Sequence, residues 1–159
     1  MLIFGNKDKI AFEVHKMEEQ VVVMNVIVNS LNISYKDNSY YVFALILNIK
    51  KEIDFISEND LSLNSNLVDI PLSELYNIFY NSEIDVYKNS KDRIDMLFYD
   101  LSAKKSLFYV YQKNDLLVFF GKFYQSDTLI TSTIEKFEFL EMLSNLLDAV
   151  KPIAVPWSS

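Results

Sequence analysis

Among its 159 residues the chain has no cysteine, one histidine, three prolines and only two glycines. Without cysteine there is no disulfide, no thiolate nucleophile and no zinc site built on sulfur. Loops that cradle phosphates need several glycines at fixed spacing, so that backbone amides can approach the ligand. Gly5 and Gly121 stand far apart, which excludes P-loop and dinucleotide-binding readings. Gly121-Lys122 lies inside an apolar run and reads as a sheet glycine. With His15 alone, no two-histidine metal site can form, and any Ser-His-Asp triad must use that residue. Arginine is nearly absent too: Arg93 stands against fourteen lysines, a poor set for reading bases or gripping phosphates bidentately. Nucleic acid is therefore not an expected partner. Nor is membrane, because the longest apolar run, residues 40–47, is far shorter than the roughly 20 residues a spanning helix needs. The start, Met1-Leu2-Ile3-Phe4-Gly5-Asn6-Lys7-Asp8, lacks the apolar stretch of a secretory signal. The expectation is a soluble cytoplasmic protein.

What is present is half apolar and 14% aromatic, enough to build one core in a chain of this size. We expect a single domain over residues 1–159, of α+β class: a mainly antiparallel sheet of about six strands, a short central helix, and a longer C-terminal helix packed on the sheet. Residues 10–15 alternate from Phe12 onward and residues 21–28 are β-branched almost throughout, so both predict strands. Turn residues at 34–39 precede residues 40–49, which read as a strand buried on both faces. Polar residues 57–66 predict a loop. Pro71, followed by Leu72, Leu75, Ile78 and Phe79 with Glu74 early, predicts a helix ending at Asn81-Ser82. Residues 83–95 read as a surface excursion, 96–99 as a short strand, and 107–112 with 116–124 as a hairpin around Lys113-Asn114-Asp115. Ser132-Thr133-Ile134-Glu135 matches a capping box. It predicts a helix to about Lys151, stopped by Pro152, with Ile134, Phe137, Leu140, Leu143, Leu147 and Val150 as its core stripe. Glu135, Glu138, Glu141, Asn145 and Asp148 gather on its opposite side.

The net charge of −7 is concentrated in the middle third. Residues 52–100 hold eleven acids against Lys88, Lys91 and Arg93, a local balance of −8, while the flanking thirds are near neutral. Catalytic uses of these groups are weakly specified. Glu13 and His15 share a strand face and make a conceivable acid–base pair, but no third group follows from the sequence. A calcium loop around Asp54, Glu58, Asn59 and Asp60 lacks the central glycine and the ligand order. Paired carboxylates could serve a hydrolase if they converged in a cleft. Here they lie in loop-like stretches where solvated charge is ordinary. No catalytic residue, cofactor or metal is expected. Binding remains. The acidic third interleaves Glu58, Asp60, Glu74, Glu83, Asp85, Asp92 and Asp95 with Tyr76, Tyr80 and Tyr87. Acids steer a basic partner and tyrosines supply contact area at low entropic cost.

The opening Leu2-Ile3-Phe4-Gly5-Asn6-Lys7-Asp8-Lys9-Ile10-Ala11-Phe12-Glu13 resembles the start of bacterial immunity protein family forty-two, found in polymorphic-toxin and contact-dependent growth inhibition systems. Members begin with a similar Ile-Phe-Gly, a polar run and an apolar-Ala-apolar-Glu strand. This sequence lacks the Trp and the Gly-rich stretch those members carry in their second and third strands. The resemblance implies a small cytoplasmic protein without catalysis of its own, whose partner is a cognate toxin domain, frequently a basic nuclease. The alternatives are another acidic inhibitor or adaptor, such as a phage-type nucleic-acid mimic, and a small carboxylate-based hydrolase.

Overall fold

A computed structural model describes residues 1–34, 38–81, 83–97, 99, 106–123 and 126–154. Residues 35–37 of the expected turn, Ser82, Phe98, Asp100 and Tyr124 lie outside the described residues. The first sheet comprises β1 (Leu2–Gly5), β2 (Ile10–Glu18), β3 (Val21–Val28), β4 (Leu31–Asn32) and β5 (Ser39–Tyr41). Strands β1 to β4 are adjacent in sequence order, and β5 pairs with β3 through Val21–Val23, beyond the stretch that β4 occupies. All pairs are antiparallel. Alternation explains β3: Val22, Met24, Val26 and Val28 are buried, while Val21, Val23 and Asn25 are not. Two-residue turns join β2 to β3 and β3 to β4. Glu19-Gln20 and Asn29-Ser30 all have positive φ, the backbone that matches the twist of a tight hairpin.

The second sheet is β6 (Ser106–Lys113), β7 (Leu116–Phe123) and β8 (Ile130–Glu135), again antiparallel. Its β6–β7 hairpin is the one expected, with Asn114 in the left-handed region. Gly121 sits opposite Phe108, and a Cβ there would lie 2.5 Å from that ring, so close cross-strand approach requires glycine. The expected α+β class holds, but the strands number eight and split into two sheets among the described residues.

Among the described residues three α-helices cover the sheets: α1 (Val42–Glu58), α2 (Leu72–Asn81) and α3 (Lys136–Val150). The α2 helix forms as its spacing predicts, with the Pro71 carbonyl accepting from Leu75 N–H at 2.9 Å and Leu75, Tyr76 and Phe79 buried. Helix α1 corrects the strand expected at 40–49. Only residues up to Tyr41 are extended, and the rest of that apolar run begins a helix whose buried residues are Val42, Leu45, Ile49, Glu52, Phe55 and Ile56. This is helical spacing, continued well past the run itself. The capping box is corrected too. Ser132 and Glu135 belong to β8, where Ile130, Ser132 and Ile134 point inward. The Ser132 hydroxyl donates to the Lys9 carbonyl at 2.8 Å, and Glu135 occupies the α3 N-cap without a side-chain cap bond. The core stripe shifts accordingly to Phe139, Met142, Leu143, Leu146, Leu147 and Val150. Phe137, expected inside, is 75% exposed.

Helix α3 packs on α1, β1 and β2, while α2 packs on β7. Between α2 and the second sheet sits an aromatic cluster. Phe79 meets Phe120 edge-on at 5.1 Å, Tyr109 at 5.3 Å and Tyr87 at 5.7 Å, geometries favoured by the ring quadrupole.

Candidate functional site

The acidic segment is organised by two strands of chain that run past each other beside α2. Leu63 bridges Tyr87, Lys88 N–H donates to the Ser62 carbonyl at 2.9 Å, and Asn64 N–H donates to the Val86 carbonyl at 3.0 Å. Residues 60–64 are thereby held against 85–89. Asp60 is locked at one end of this pairing, accepting from Ser62 Oγ at 2.6 Å and Ser62 N–H at 3.1 Å. The Ser62 hydroxyl, then its amide, hold the Asp60 carboxyl below its usual range. At the other end the Asp85 carbonyl accepts from Asn64 Nδ2 at 2.5 Å.

Glu58, Asp60, Glu74, Glu83, Asp85 and Asp92 are exposed and Asp95 is half-buried. These carboxylates are spread along a surface, and the described residues hold no group of three His, Cys, Asp or Glu side chains positioned for a metal. The tyrosines divide. Tyr80 is 62% exposed and stacks on Tyr76 with 14° between the ring planes. Tyr76 is mostly buried, with the Lys122 ammonium 4.6 Å from its ring centroid. Burial raises the Tyr76 phenol pKa. Tyr87 does not face a partner: it is 2% exposed, and its hydroxyl donates to the Val110 carbonyl. That residue is core, placed there because residues 85–89 pair inward with Leu63. Of the residues expected to meet a partner, six acids and Tyr80 are thus exposed, Asp95 is half-buried, and Tyr76 and Tyr87 are buried.

The Glu13/His15 pair is a different arrangement. Asn25 Nδ2 lies 3.4 Å from Glu13 Oε1 and 3.1 Å from His15 Nε2, while Lys7 pairs with Glu13. The Lys7 bond is the main reason that the Glu13 carboxyl lies below its ordinary range. A carboxylate held ionised by a lysine is a poor proton acceptor.

Sequence reasoning missed Glu52. Counted with the acidic block, it is 2% exposed, accepting from Tyr99 Oη at 2.9 Å and from Leu97 N–H at 3.1 Å. Burial pushes its pKa up to about 7. The signal was there in principle, since Glu52 falls on the Val42, Leu45, Ile49, Ile56 face of α1; it was hidden by reading 40–49 as a strand. No described helix is long and apolar enough to cross a membrane.

No protein-family model matches the chain, and no curated protein matches it. Among solved structures, the fold is similar to that of CdiI from Burkholderia dolosa AUO158, with a TM-score of 0.65 at 12% identity, over 93% of this chain and 99% of that one. At that identity the likeness concerns the fold.

Proposed function

We propose that this chain is an immunity protein, which binds a cognate bacterial toxin domain in the cytoplasm and neutralises it. The observation that carries the reading is the likeness to CdiI along nearly the whole of both chains. CdiI names the immunity proteins of contact-dependent growth inhibition. The likeness favours that class, not family forty-two in particular. Composition is in keeping with it: the excess negative charge is concentrated in one segment, residues 52–100.

The partner we infer is a basic toxin domain, a nuclease whose surface is built to hold phosphates. The contact face is formed by Glu58, Asp60, Glu74, Glu83, Asp85, Asp92 and Asp95, with Tyr80 as the aromatic contact and Tyr76 supporting it by stacking. Acids on such a face raise the association rate, and a partly exposed aromatic contributes residence time once docked. Speed matters for an inhibitor that must capture toxin before it acts.

The test is growth rescue. Cells expressing the toxin domain encoded beside this chain's gene should survive when the wild-type chain is co-expressed. Failure to rescue, with both proteins folded and present, sinks the reading.

A further inference from the structure

We propose that the N-terminal turn of α3 and the tip of the β6–β7 hairpin form the anchor pocket of the partner-binding face, receiving a lysine or arginine of a protein partner together with an adjoining apolar side chain. The inference rests on the immunity reading for the identity of that partner, and on the following geometry for the pocket. An open concavity of about 420 Å³ is lined by Asp115, Glu135, Lys136, Phe137 and Leu140. Phe137 is 75% exposed, the most exposed of the described large apolar residues, and Leu116, in register with Glu135, is 40% exposed. An aromatic left in water beside a concavity has apolar area to offer a ligand.

The charges decide what kind. Lys136 is the one cation among the lining residues, and its ammonium is turned away: Nζ donates to the Asn59 carbonyl at 3.2 Å and to Gln112 Oε1 at 3.1 Å. The exposed carboxylates of Asp115 and Glu135 remain at the rim, with Glu141 exposed one turn beyond Phe137 on the same side of α3. A cation over the Phe137 ring would gain from the ring face and from these carboxylates together. The pocket is also tied to the acidic segment by hydrogen bonds. The Lys136 bond ends on Asn59, between Glu58 and Asp60, and Gln112 N–H donates to the Leu61 carbonyl at 2.9 Å. The α3 turn is thus pinned beside the acidic segment.

The test uses the full chain and a random library of 12-residue peptides displayed on phage. Selection on the wild-type protein should enrich peptides with Lys or Arg next to an apolar residue. A synthetic peptide of the consensus should bind at least 10-fold more weakly to Phe137→Ala and at least 3-fold more weakly to the double variant Asp115→Asn, Glu135→Gln, with unchanged thermal melting in both. Failure to enrich any consensus overturns the proposal, as does one without basic residues or one indifferent to Phe137→Ala. Sedimentation of the free chain is the companion measurement. A monomer is expected; a dimer that Phe137→Ala dissociates would make a second copy the occupant and overturn the proposal. The two readings fail separately. If Phe137→Ala rescues toxin-expressing cells as well as wild type at limiting expression, the pocket is wrong and the immunity reading stands. If the consensus binds at Phe137 but the wild-type chain rescues nothing, the pocket stands and the immunity reading falls.

Discussion

Replacing Glu52 with glutamine should make the protein more stable at neutral pH, although it removes a side chain that accepts two hydrogen bonds. Burial raises this carboxyl from its ordinary value of 4.5 to about 7. Between those values the unfolded chain releases the proton while the folded one keeps it, so stability falls as pH rises. The favourable contribution is complete below about pH 4.5 and lost once pH passes the folded value. At 1.36 kcal/mol per unit, the loss is about 3 kcal/mol. Glutamine resembles the protonated acid: neutral, with one acceptor oxygen and a donor that the Tyr99 hydroxyl can accept. Urea unfolding followed by circular dichroism from pH 4.5 to 8 measures this, and the difference between wild type and Glu52→Gln cancels the titration of every other group. The two should agree near pH 4.5 and diverge above it, the variant being more stable by about 1–3 kcal/mol at pH 8. Parallel curves, or a variant less stable at pH 8, would refute the reasoning.

The two tyrosines of unlike placement separate stability from binding. Tyr87→Phe leaves the buried Val110 carbonyl without its donor and should cost about 1–2 kcal/mol in urea unfolding, with toxin neutralisation intact. Tyr80→Ala, at an exposed position, should change stability by under about 0.5 kcal/mol and weaken binding to the toxin domain in calorimetry. Phe79→Ala removes the ring shared by Tyr87, Tyr109 and Phe120 and should lower unfolding free energy by about 3–5 kcal/mol.

Much of the fold is legible in residue patterns, and the failures have physical causes. Strand β3 and helix α2 show themselves because a β-branched run and Pro71 with its i, i+3 spacing are strong local signals. Helix α1 hides because residues 42–47 are apolar without interruption, and periodicity is invisible where every residue is apolar. The period emerges only at Ile49, Glu52, Phe55 and Ile56, and there a buried acid breaks the hydrophobic pattern. At 132–135 the capping-box residues also satisfy the strand alternation of β8, and tertiary pairing with β7 decides for strand. That choice delays the helix and turns Phe137 outward. For the site, exposure of the acids follows from their polar surroundings, whereas the inward turn of Tyr87 depends on pairing with Leu63, twenty-four positions earlier. No local signal carries such a contact.

Capture of a basic toxin domain by the acidic face is the step on which the proposed function turns. Its most direct test is the association rate of the purified toxin domain with the wild-type chain and with the triple reversal Glu58→Lys, Glu83→Lys, Asp85→Lys, measured by stopped flow at low salt. The reversal should slow association by about tenfold or more, while an equal charge change at Glu18, Glu19 and Asp127 should slow it far less. Equal slowing by both sets, or no association of the wild-type chain, would contradict the account.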